Sequence, residues 1–406
     1  MTAPVFSPAD ILLPETVTDK WSVVACDQFT ARRDYWDRVD KAVGDAPSTL
    51  RMILPEAYLG LDGEAERAAA IHSAMERYLT GGVFRTVPDS FVYVERGTSA
   101  GVRRGLVGAI DLESYDFDPA SSAPVRASEN TVVSRLPARV EVRRRAALEL
   151  PHIMALIEDP EKTVIEPLSE KAASMSLLYD VELMEGGGHI TGRRVSGADA
   201  DAVSRALNAL FGSKPVQIIV GDGNHSLAAA KRYWDEIKPS IPEGERASHP
   251  ARFALAEVNN VYDEAIRFEA IHRVVFGCGG MRFVERFSAL AAKTQGNTEY
   301  AVRWACGGFE GETKVRAQSV GGLIAAVQEM LDSAAAETGG DIDYIHGEDA
   351  ARDLARSPEN ACFLLPAMGK GDFFATVEKG GLFPKKSFSI GHAEDKRYYM
   401  ECRKIR

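Results

Sequence analysis

Hydrophobic positions recur at helical spacing in several segments of the chain. Residues 198–211 place Val203, Leu207, Leu210 and Phe211 on one face of a helix. Similar patterns predict further helices over residues 62–79, 227–237 and 321–335. Strand patterns lie between these helices.

Residues 90–95 and 104–112 alternate apolar and polar side chains, which is typical of neighbouring strands with one buried face. Residues 216–220 (VQIIV) form a continuous apolar run, as expected of a strand buried on both faces. Further strands are predicted over residues 152–157 and 176–183. The alternation predicts an α/β protein of mixed α+β character, in which the strand 216–220 leads through a tight turn into the helix 227–237.

The length of 406 residues allows two or three domains of ordinary size. The polar stretch 239–250, which contains Gly and Pro, is the best candidate for a boundary. We therefore expect an N-terminal region over residues 1–240 and a C-terminal α/β region over residues 250–406 that packs on it.

Charge and composition narrow the class of partner. The formal net charge of -11 argues against a general nucleic-acid binder, because phosphate neutralisation needs a basic surface. The N-terminus lacks the pattern of a signal peptide, and no apolar stretch approaches the length of a membrane span. The five cysteines are scattered and form no metal-binding or disulfide pattern. We expect a cytoplasmic protein without a nucleic-acid or membrane partner; its oligomeric state is not predicted.

The turn after the buried strand reads Gly221-Asp222-Gly223-Asn224-His225-Ser226. A strand that ends in a Gly-rich turn and opens a helix directs backbone N–H groups and the helix dipole at a ligand, which favours an anion. Gly221 and Gly223 allow the backbone to approach that ligand closely. Asp222 and His225 are three residues apart and can face the same opening, where one could hold a metal or accept a proton while the other donates to a transferring group.

A purely structural interpretation of the turn remains open. Asp-Gly is a common turn dipeptide, Asn224 or Ser226 could simply cap the helix, and His225 could bind a backbone carbonyl. The turn is neither a P-loop nor a dinucleotide-binding fingerprint, since no Gly-Lys-Ser/Thr follows and the glycine spacing differs.

The segment VGDGNHSLAAA at residues 220–230 resembles the signature of a large bacterial family called domain of unknown function 1015. The usual form of that signature is Ala-Asp-Gly-His-His-Arg followed by an alanine-rich helix. Four other stretches resemble the family in the same order: RASENT at 126–131, LPHIM at 150–154, IHR at 271–273 and PKKSFS at 384–389. Together these stretches cover most of the chain.

The same signature is similar to that of the free serine kinases of the ParB/sulfiredoxin-like superfamily. This resemblance implies a ParB/sulfiredoxin-like strand–loop–helix core with large additional α/β elaborations. It also implies that the turn binds nucleotide phosphate and that Asp222 and His225 are catalytic. The chain departs from the signature at two positions, because Asn224 replaces the first His and Ser226 replaces the Arg.

The resemblance further implies a small-molecule phosphotransferase that uses ATP or ADP with Mg²⁺ and phosphorylates free L-serine or a similar hydroxy-amino acid. Asp27 follows the apolar run at residues 21–26 and matches an early carboxylate of the family, so it is the candidate general base. It could equally cap the segment after it. A phosphoserine phosphatase and a nucleotide- or metabolite-sensing protein without catalysis are the alternative functions.

Other residues could complete the site. Arg139, Arg143 and Arg145 would share one side of a strand and could bind a phosphate, or they could form a solvated face. His272 and Arg273 could supply the cation missing at Ser226, or they could be structural. The resemblance places Glu129 and Thr131 near the substrate. The remaining histidines have no partners at metal-ligand spacing, so no transition-metal site is assigned.

Overall fold

The computed structural model describes residues 4–24, 29, 32–58, 61–212, 214–379 and 381–406. The α-helices are α1 (Arg33–Val43), α2 (Glu64–Thr80), α3 (Leu136–Arg145), α4 (Glu166–Lys171), α5 (Ala198–Phe211), α6 (Asn224–Ile237), α7 (Glu243–Arg246), α8 (Met281–Ala291), α9 (Val320–Thr338), α10 (Glu348–Leu354) and α11 (Lys370–Glu378). No helix in these ranges is long and apolar enough to cross a lipid bilayer.

Strands alternate with the helices, so the predicted mixed α/β class is confirmed. The strands are β1 (Phe6–Ser7), β2 (Ala9–Pro14), β3 (Phe84–Thr98), β4 (Gly101–Asp111), β5 (Tyr115–Asp116), β6 (Val125–Ala127), β7 (Leu148–Glu149), β8 (Met154–Ile157), β9 (Leu177–Leu183), β10 (Gly188–Val195), β11 (Ile218–Asp222), β12 (Phe253–Asn260), β13 (Phe268–Phe276), β14 (Thr298–Cys306), β15 (Phe309–Ala317), β16 (Asp341–His346), β17 (Ala361–Leu364), β18 (Phe388–Ile390) and β19 (Arg403–Lys404).

The chain divides into two compact units. Unit 1 contains Met1–Ala127, Thr131–Ile266 and Gly391–Arg406, and unit 2 contains Ser128–Asn130 and Arg267–Ile390. This division differs from the expected regions 1–240 and 250–406. The reason is that β12, which follows the polar stretch 239–250, pairs with both β4 and β8 and so belongs to the sheet of unit 1.

Unit 1 is built on a mixed sheet. Its described strands follow the order β5-β6-β11-β8-β12-β4-β3-β10-β9, with β1 paired to β4 and β2 paired to β3. β11 is parallel to β6 and antiparallel to β8, and it lies inside the sheet. Ile218, Ile219 and Val220 of β11 are all fully buried, which confirms the strand expected from the VQIIV run.

The sheet of unit 1 separates two hydrophobic cores. Val92 and Val94 of β3 belong to the core that also contains residues of β2, α1 and α2. Phe91 and Tyr93, the alternate residues of the same strand, belong to the core that contains residues of α3, α5 and α6. Because side chains of a strand point alternately to opposite faces, β3 contributes to both cores. The strand β11 thus leads into a helix, α6, that covers one of these faces.

Unit 2 has its own sheet, in which the described strands follow the order β15-β14-β17-β13-β16 and β18 pairs with β13. The core between its strands and helix α10 contains Val274, Ala305, Ala351 and Cys362. His272 and Arg273 lie on β13, as the alternating pattern there predicts.

Most of the predicted elements are confirmed, and α5 matches its predicted bounds. The strand proposed for Arg139, Arg143 and Arg145 is wrong, because these residues lie in helix α3. Pro137 occupies the first turn of α3, where proline is well tolerated, and Leu136 and Val140 are buried one turn apart. Four of the five cysteines are described, and all four are buried free thiols.

Candidate functional site

The turn between β11 and α6 has a backbone that only glycine can adopt. Gly223 is the N-cap residue of α6, with a left-handed φ of 81°. A Cβ at this position would lie 1.9 Å from the carbonyl oxygen of His152. The helix begins at Asn224, so the alternative in which Asn224 or Ser226 caps it is wrong. The tight turn brings the N-terminus of α6 against the segment before β8.

The amides of the first turn fit a helix that starts directly after Gly223. The backbone N–H groups of Ser226 and Leu227 donate to the carbonyl oxygen of Gly223, at 2.9 Å and 3.1 Å. The carboxylate of Asp222 accepts the N–H of Gly223 through Oδ1, at 2.7 Å. Asp222 therefore lies at the end of α6 where the dipole favours negative charge.

Two basic side chains flank the other oxygen of Asp222. Oδ2 lies 2.8 Å from Nζ of Lys396 and 3.5 Å from Nε2 of His152. The side chains of Lys396 and His152 are each 6% exposed, whereas that of Asp222 is 25% exposed. We call these three residues the Asp222 cluster.

The charges of this cluster control the ionisation of its carboxylate. Burial by itself raises the pKa of Asp222, but the charge of Lys396 and the hydrogen bond with His152 outweigh it and hold the pKa well below the usual range. Asp222 is therefore ionised at neutral pH. A carboxylate with so low a pKa is a poor proton acceptor and is better suited to bind or orient a cation.

His152 is fixed by its second ring nitrogen. Its Nδ1 lies 2.6 Å from the carbonyl oxygen of Arg397, and its ring stacks on Tyr399 with centroids 5.6 Å apart. A carbonyl oxygen only accepts, so Nδ1 carries a proton. Nε2 can then donate to Asp222 only when the ring is cationic. This geometry fixes the orientation of the His152 ring beside the Asp222 carboxylate.

His225 lies in the first turn of α6 and binds a different segment. Its Nε2 accepts the backbone N–H of Val132 at 3.2 Å. A ring nitrogen that accepts an N–H carries no proton, so this arrangement has the neutral ring with its proton on Nδ1. Thr131 directly precedes Val132, and its buried Oγ1 has no hydrogen-bond partner among the described residues. Asp222, His225 and Thr131 are thus brought into one region of unit 1.

Lys396 reaches the turn on residues 391–406, a segment whose backbone is held by two buried arginines. Nη1 of Arg96 donates to the carbonyl oxygens of Asp395 and Lys396, at 2.8 Å and 2.5 Å, and Nη1 of Arg103 donates to that of Asp395 at 2.8 Å. Burial, together with the charge of Arg103, lowers the pKa of Arg96 to about 10. A buried guanidinium needs acceptors, and the carbonyl groups of this segment provide them.

Sequence reasoning missed both basic members of the Asp222 cluster. His152 lies in LPHIM, one of the stretches that resemble the family, and that signal could have identified it. Lys396 lies in no such stretch, and nothing in its local sequence distinguishes it from other lysines. Only the fold brings it to a residue far away in the chain.

The arginines of α3 have separate partners. Nη2 of Arg143 lies 2.6 Å from Oε2 of Glu149, which is also paired with Arg403. Nη1 of Arg139 donates to the backbone carbonyl of Arg135 at 3.0 Å. The ion pair between Arg143 and Glu149 supports the structural interpretation of the basic stretch, so a phosphate contact from Arg139 or Arg143 stays a prediction.

The candidate residues Glu129, His272 and Arg273 belong to unit 2. Nδ1 of His272 accepts the backbone N–H of Leu365 at 3.2 Å, and burial lowers the pKa of His272. Arg273 is fully buried, its guanidinium carbon lies 5.0 Å from the centroid of the Tyr344 ring, and burial lowers its pKa to about 10. Arg273 donates to Gln328 and to the carbonyl oxygen of Ile271, while its buried Nη2 has no hydrogen-bond partner among the described residues. A role of Glu129, His272 and Arg273 at the turn stays a prediction.

Oε1 of Glu129 accepts the backbone N–H of Ser387 at 3.4 Å, a long contact within the same unit. Asp27, the candidate general base, lies outside the described residues. Within the described ranges, no group of three or more His, Cys, Asp or Glu side chains is arranged to hold a metal ion. Mg²⁺ at nucleotide sites usually takes only one or two carboxylates in addition to phosphate oxygens and water, so Asp222 as a protein ligand fits that donor set.

Comparison with known proteins gives one extensive match. A model of the family described as "Protein of unknown function (DUF1015)" matches residues 9–364. None of the curated proteins matches the chain.

Several solved structures show weak similarity. A free serine kinase in complex with AMP is 12% identical, with 73% of this chain and 91% of that chain covered and a TM-score of 0.37. SbnI with a C-terminal truncation, from Staphylococcus aureus, is 11% identical, with 70% and 82% covered and a TM-score of 0.35. A conserved hypothetical protein from Pyrococcus furiosus is 13% identical, with 72% and 90% covered and a TM-score of 0.33. TM-scores this low carry no argument about fold or function.

Proposed function

Because the chain belongs to the DUF1015 family, whose signature it carries at residues 220–230, we propose that it is a nucleotide-dependent kinase of a small hydroxy-amino acid, with free L-serine as the favoured acceptor. The phosphates of ATP or ADP would lie on the turn formed by residues 221–226. The observation that supports this best is the arrangement of the turn, where an ionised Asp222 directly precedes helix α6 and a neutral His225 lies in the first turn of that helix.

The proposal gives each residue of the turn a role. The low pKa of Asp222 suits it to bind a cation that accompanies the phosphates, and Mg²⁺ would supply charge neutralisation there. Gly223 allows the close approach of the backbone that phosphate binding needs. Gly221, Asn224 and Ser226 would surround the phosphate oxygens with backbone and side-chain donors.

His225 can act as a donor to the transferring group. With Nε2 accepting the N–H of Val132, the neutral ring carries its proton on Nδ1, and in the complex this N–H would donate to a phosphoryl oxygen on which charge develops. The hydroxyl of Thr131, next to this amide, is placed to contact an acceptor or a phosphate.

The proposed reaction transfers one phosphoryl group. The hydroxyl oxygen of the acceptor forms a bond to the terminal phosphorus, and the bond to the bridging oxygen breaks, so the nucleotide leaves with one phosphate fewer. The hydroxyl proton passes to a carboxylate, for which the family resemblance favours Asp27. Asp222 is unsuited to that role because its pKa is too low.

The test is incubation of the pure protein with Mg²⁺, L-serine and either ATP or ADP, with phosphoserine followed by phosphorus NMR. We expect phosphoserine in the wild type and at least a ~100-fold lower rate in Asp222→Asn and in His225→Gln, as for loss of a preorganised electrostatic contact. Asp201→Asn, which changes an exposed carboxylate in the first turn of α5, is the matched control and should retain the wild-type rate.

Two outcomes would contradict the proposal. Release of phosphate from phosphoserine without nucleotide would indicate a phosphatase that uses the same anion site. A nucleotide-dependent rise in melting temperature, with no product from L-serine or from any other hydroxy-amino acid, would indicate a sensor.

A further inference from the structure

The turn 221–226 carries a negative charge and contains no Lys or Arg. An ionised Asp222 at the opening of a phosphate site repels the ligand that the helix N-terminus attracts. A fixed cation from elsewhere in the fold would offset this repulsion in addition to the proposed Mg²⁺.

We propose that Lys396 is the phosphate-binding cation of this site and that residues 391–406 complete it. The inference deepens the proposed function and rests on it for the identity of the ligand as a phosphate. Nζ of Lys396 lies 2.8 Å from Oδ2 of Asp222, whose other oxygen binds the N–H of Gly223. The carboxylate of Asp222 thus links the ammonium group to the backbone N–H of Gly223, the N-cap residue of α6.

The backbone at Lys396 is held in place before any ligand binds. Arg96 binds the carbonyl oxygen of Lys396 itself, and Oδ1 of Asp395 accepts the backbone N–H of Ser99 at 2.9 Å. On the other side, Nη2 of Arg397 lies 2.8 Å from Oε2 of Glu401. Both neighbours in sequence are anchored, so the backbone position from which the Lys396 side chain extends is fixed.

The partner of Lys396 is less enclosed than the carboxylate of the second ion-pair cluster in unit 1. The side chain of Asp222 is 25% exposed, although its Oδ2, which faces Lys396, is buried, whereas Glu149 is only 2% exposed between its two arginines. A lysine ammonium is a compact charge that can be shared between a carboxylate and a phosphate. Lys396 would keep Asp222 neutralised in the free protein and would contact the phosphate in the complex.

Titration calorimetry with three probes tests this role: pyrophosphate, ADP and adenosine. Loss of a charge-assisted hydrogen bond predicts that Lys396→Met weakens pyrophosphate and ADP binding by about 10- to 100-fold. Adenosine has no phosphate, so its affinity should change by less than about 2-fold in this variant. Lys404→Met removes the same charge from an exposed position of the same segment and should leave all three affinities unchanged.

Lys396→Met leaves Asp222 without its cation, and that variant can lose stability. A second comparison avoids this difficulty, because Asp222→Asn and Asp222→Asn/Lys396→Met leave no uncompensated carboxylate. If Lys396 contacts phosphate, the double variant binds pyrophosphate about 10-fold or more weakly than Asp222→Asn alone. Equal affinities in this pair would overturn the proposal.

The outcomes also separate this inference from the proposed function. Phosphoserine formation with unchanged pyrophosphate and ADP affinity in Lys396→Met would overturn the role of Lys396 and leave the kinase in place. Binding of pyrophosphate that depends on Lys396, without any phosphotransfer, would support the phosphate site and contradict the kinase. Failure of the wild type to bind pyrophosphate or ADP would overturn both.

Discussion

Two carboxylates of unit 1, Glu149 and Asp222, are each flanked by two basic side chains, and their comparison shows how the same residue types can serve structure or function. Glu149 lies 2.6 Å from Arg143 and 2.7 Å from Arg403, and it accepts the backbone N–H of Leu255 at 2.9 Å. We call Glu149, Arg143 and Arg403 the Glu149 cluster. Its carboxylate is 2% exposed, and all of its partners are rigid donors.

The Asp222 cluster differs in its basic partners and in its exposure, although Asp222 also accepts a backbone N–H, that of Gly223. One partner is the compact ammonium of Lys396, the other is the His152 ring at 3.5 Å, and a quarter of the carboxylate side chain is exposed. A buried carboxylate that is bound by two guanidinium groups and a backbone amide is not expected to exchange any of them for a ligand. Asp222 is paired with a lysine and with an imidazole 3.5 Å away, and its side chain is partly exposed, so it can exchange one of these partners for a ligand. The following predictions test this difference between the two clusters.

The largest expected effect is on the Glu149 cluster. Glu149→Gln leaves two buried guanidinium groups without their anion, so we expect the free energy of unfolding to fall by about 3–5 kcal/mol. Urea denaturation of the wild type and the variant measures this difference in the free energy of unfolding. A loss below about 1 kcal/mol would show that this cluster contributes as little as a surface pair and would remove the contrast with Asp222.

The next effect concerns the backbone that carries Asp222. Gly223→Ala adds a Cβ that overlaps the carbonyl oxygen of His152 and strains a left-handed φ, so we expect a loss of about 2–4 kcal/mol in the free energy of unfolding. Gly244→Ala is the matched control, since a Cβ there meets nothing within 4 Å. Equal stability of the two variants would argue against the tight turn.

Asp222→Asn should cost less stability than Glu149→Gln and more activity. We expect a loss of about 1–3 kcal/mol in the free energy of unfolding, because the paired charge is partly exposed, and loss of measurable phosphotransfer. Glu149→Gln, assayed where it remains folded, should retain phosphotransfer. The reverse result, with activity lost only in Glu149→Gln, would show that the Glu149 cluster and not the Asp222 cluster is needed for function.

The smallest effect is the pH dependence of Asp222. Its pKa is lowered in the folded protein, so its contribution to stability is fully present above the unfolded value of about 3.9 and is lost as the pH falls through the folded value. The difference in unfolding free energy between the wild type and Asp222→Asn should therefore shrink as the pH falls below about 4. A difference that instead grows below about pH 4 would contradict the sign of the shift.

Local sequence patterns were sufficient wherever the local environment decides the structure. The helix α5 is predicted with its observed bounds because one apolar stripe forms its buried face. The turn before α6 was identified because Gly223 is required by the backbone and the apolar run before it specifies a buried strand. The family signature pointed to the same residues, and the match over residues 9–364 confirms the family.

Patterns failed where charge dominates. The stretch with Arg139, Arg143 and Arg145 contains too few apolar residues for its pattern to distinguish a strand from a helix. Leu136 and Val140 stabilise the helix α3 because they pack into a hydrophobic core that other segments of the chain form. Spacing alone also could not assign Arg143 to Glu149, because their meeting depends on how α3 packs.

The sequence by itself therefore determined the mixed α/β class, the family and the turn that carries Asp222 and His225, because each depends on residues close together in the chain. The tertiary structure decided which basic groups surround Asp222. Lys396 and His152 come from segments distant in the chain, and buried contacts such as that of Arg96 with the backbone of residues 391–406 bring the lysine to the turn. The low pKa of Asp222, and with it the chemistry that the turn can support, is a property of that assembly and of no single segment.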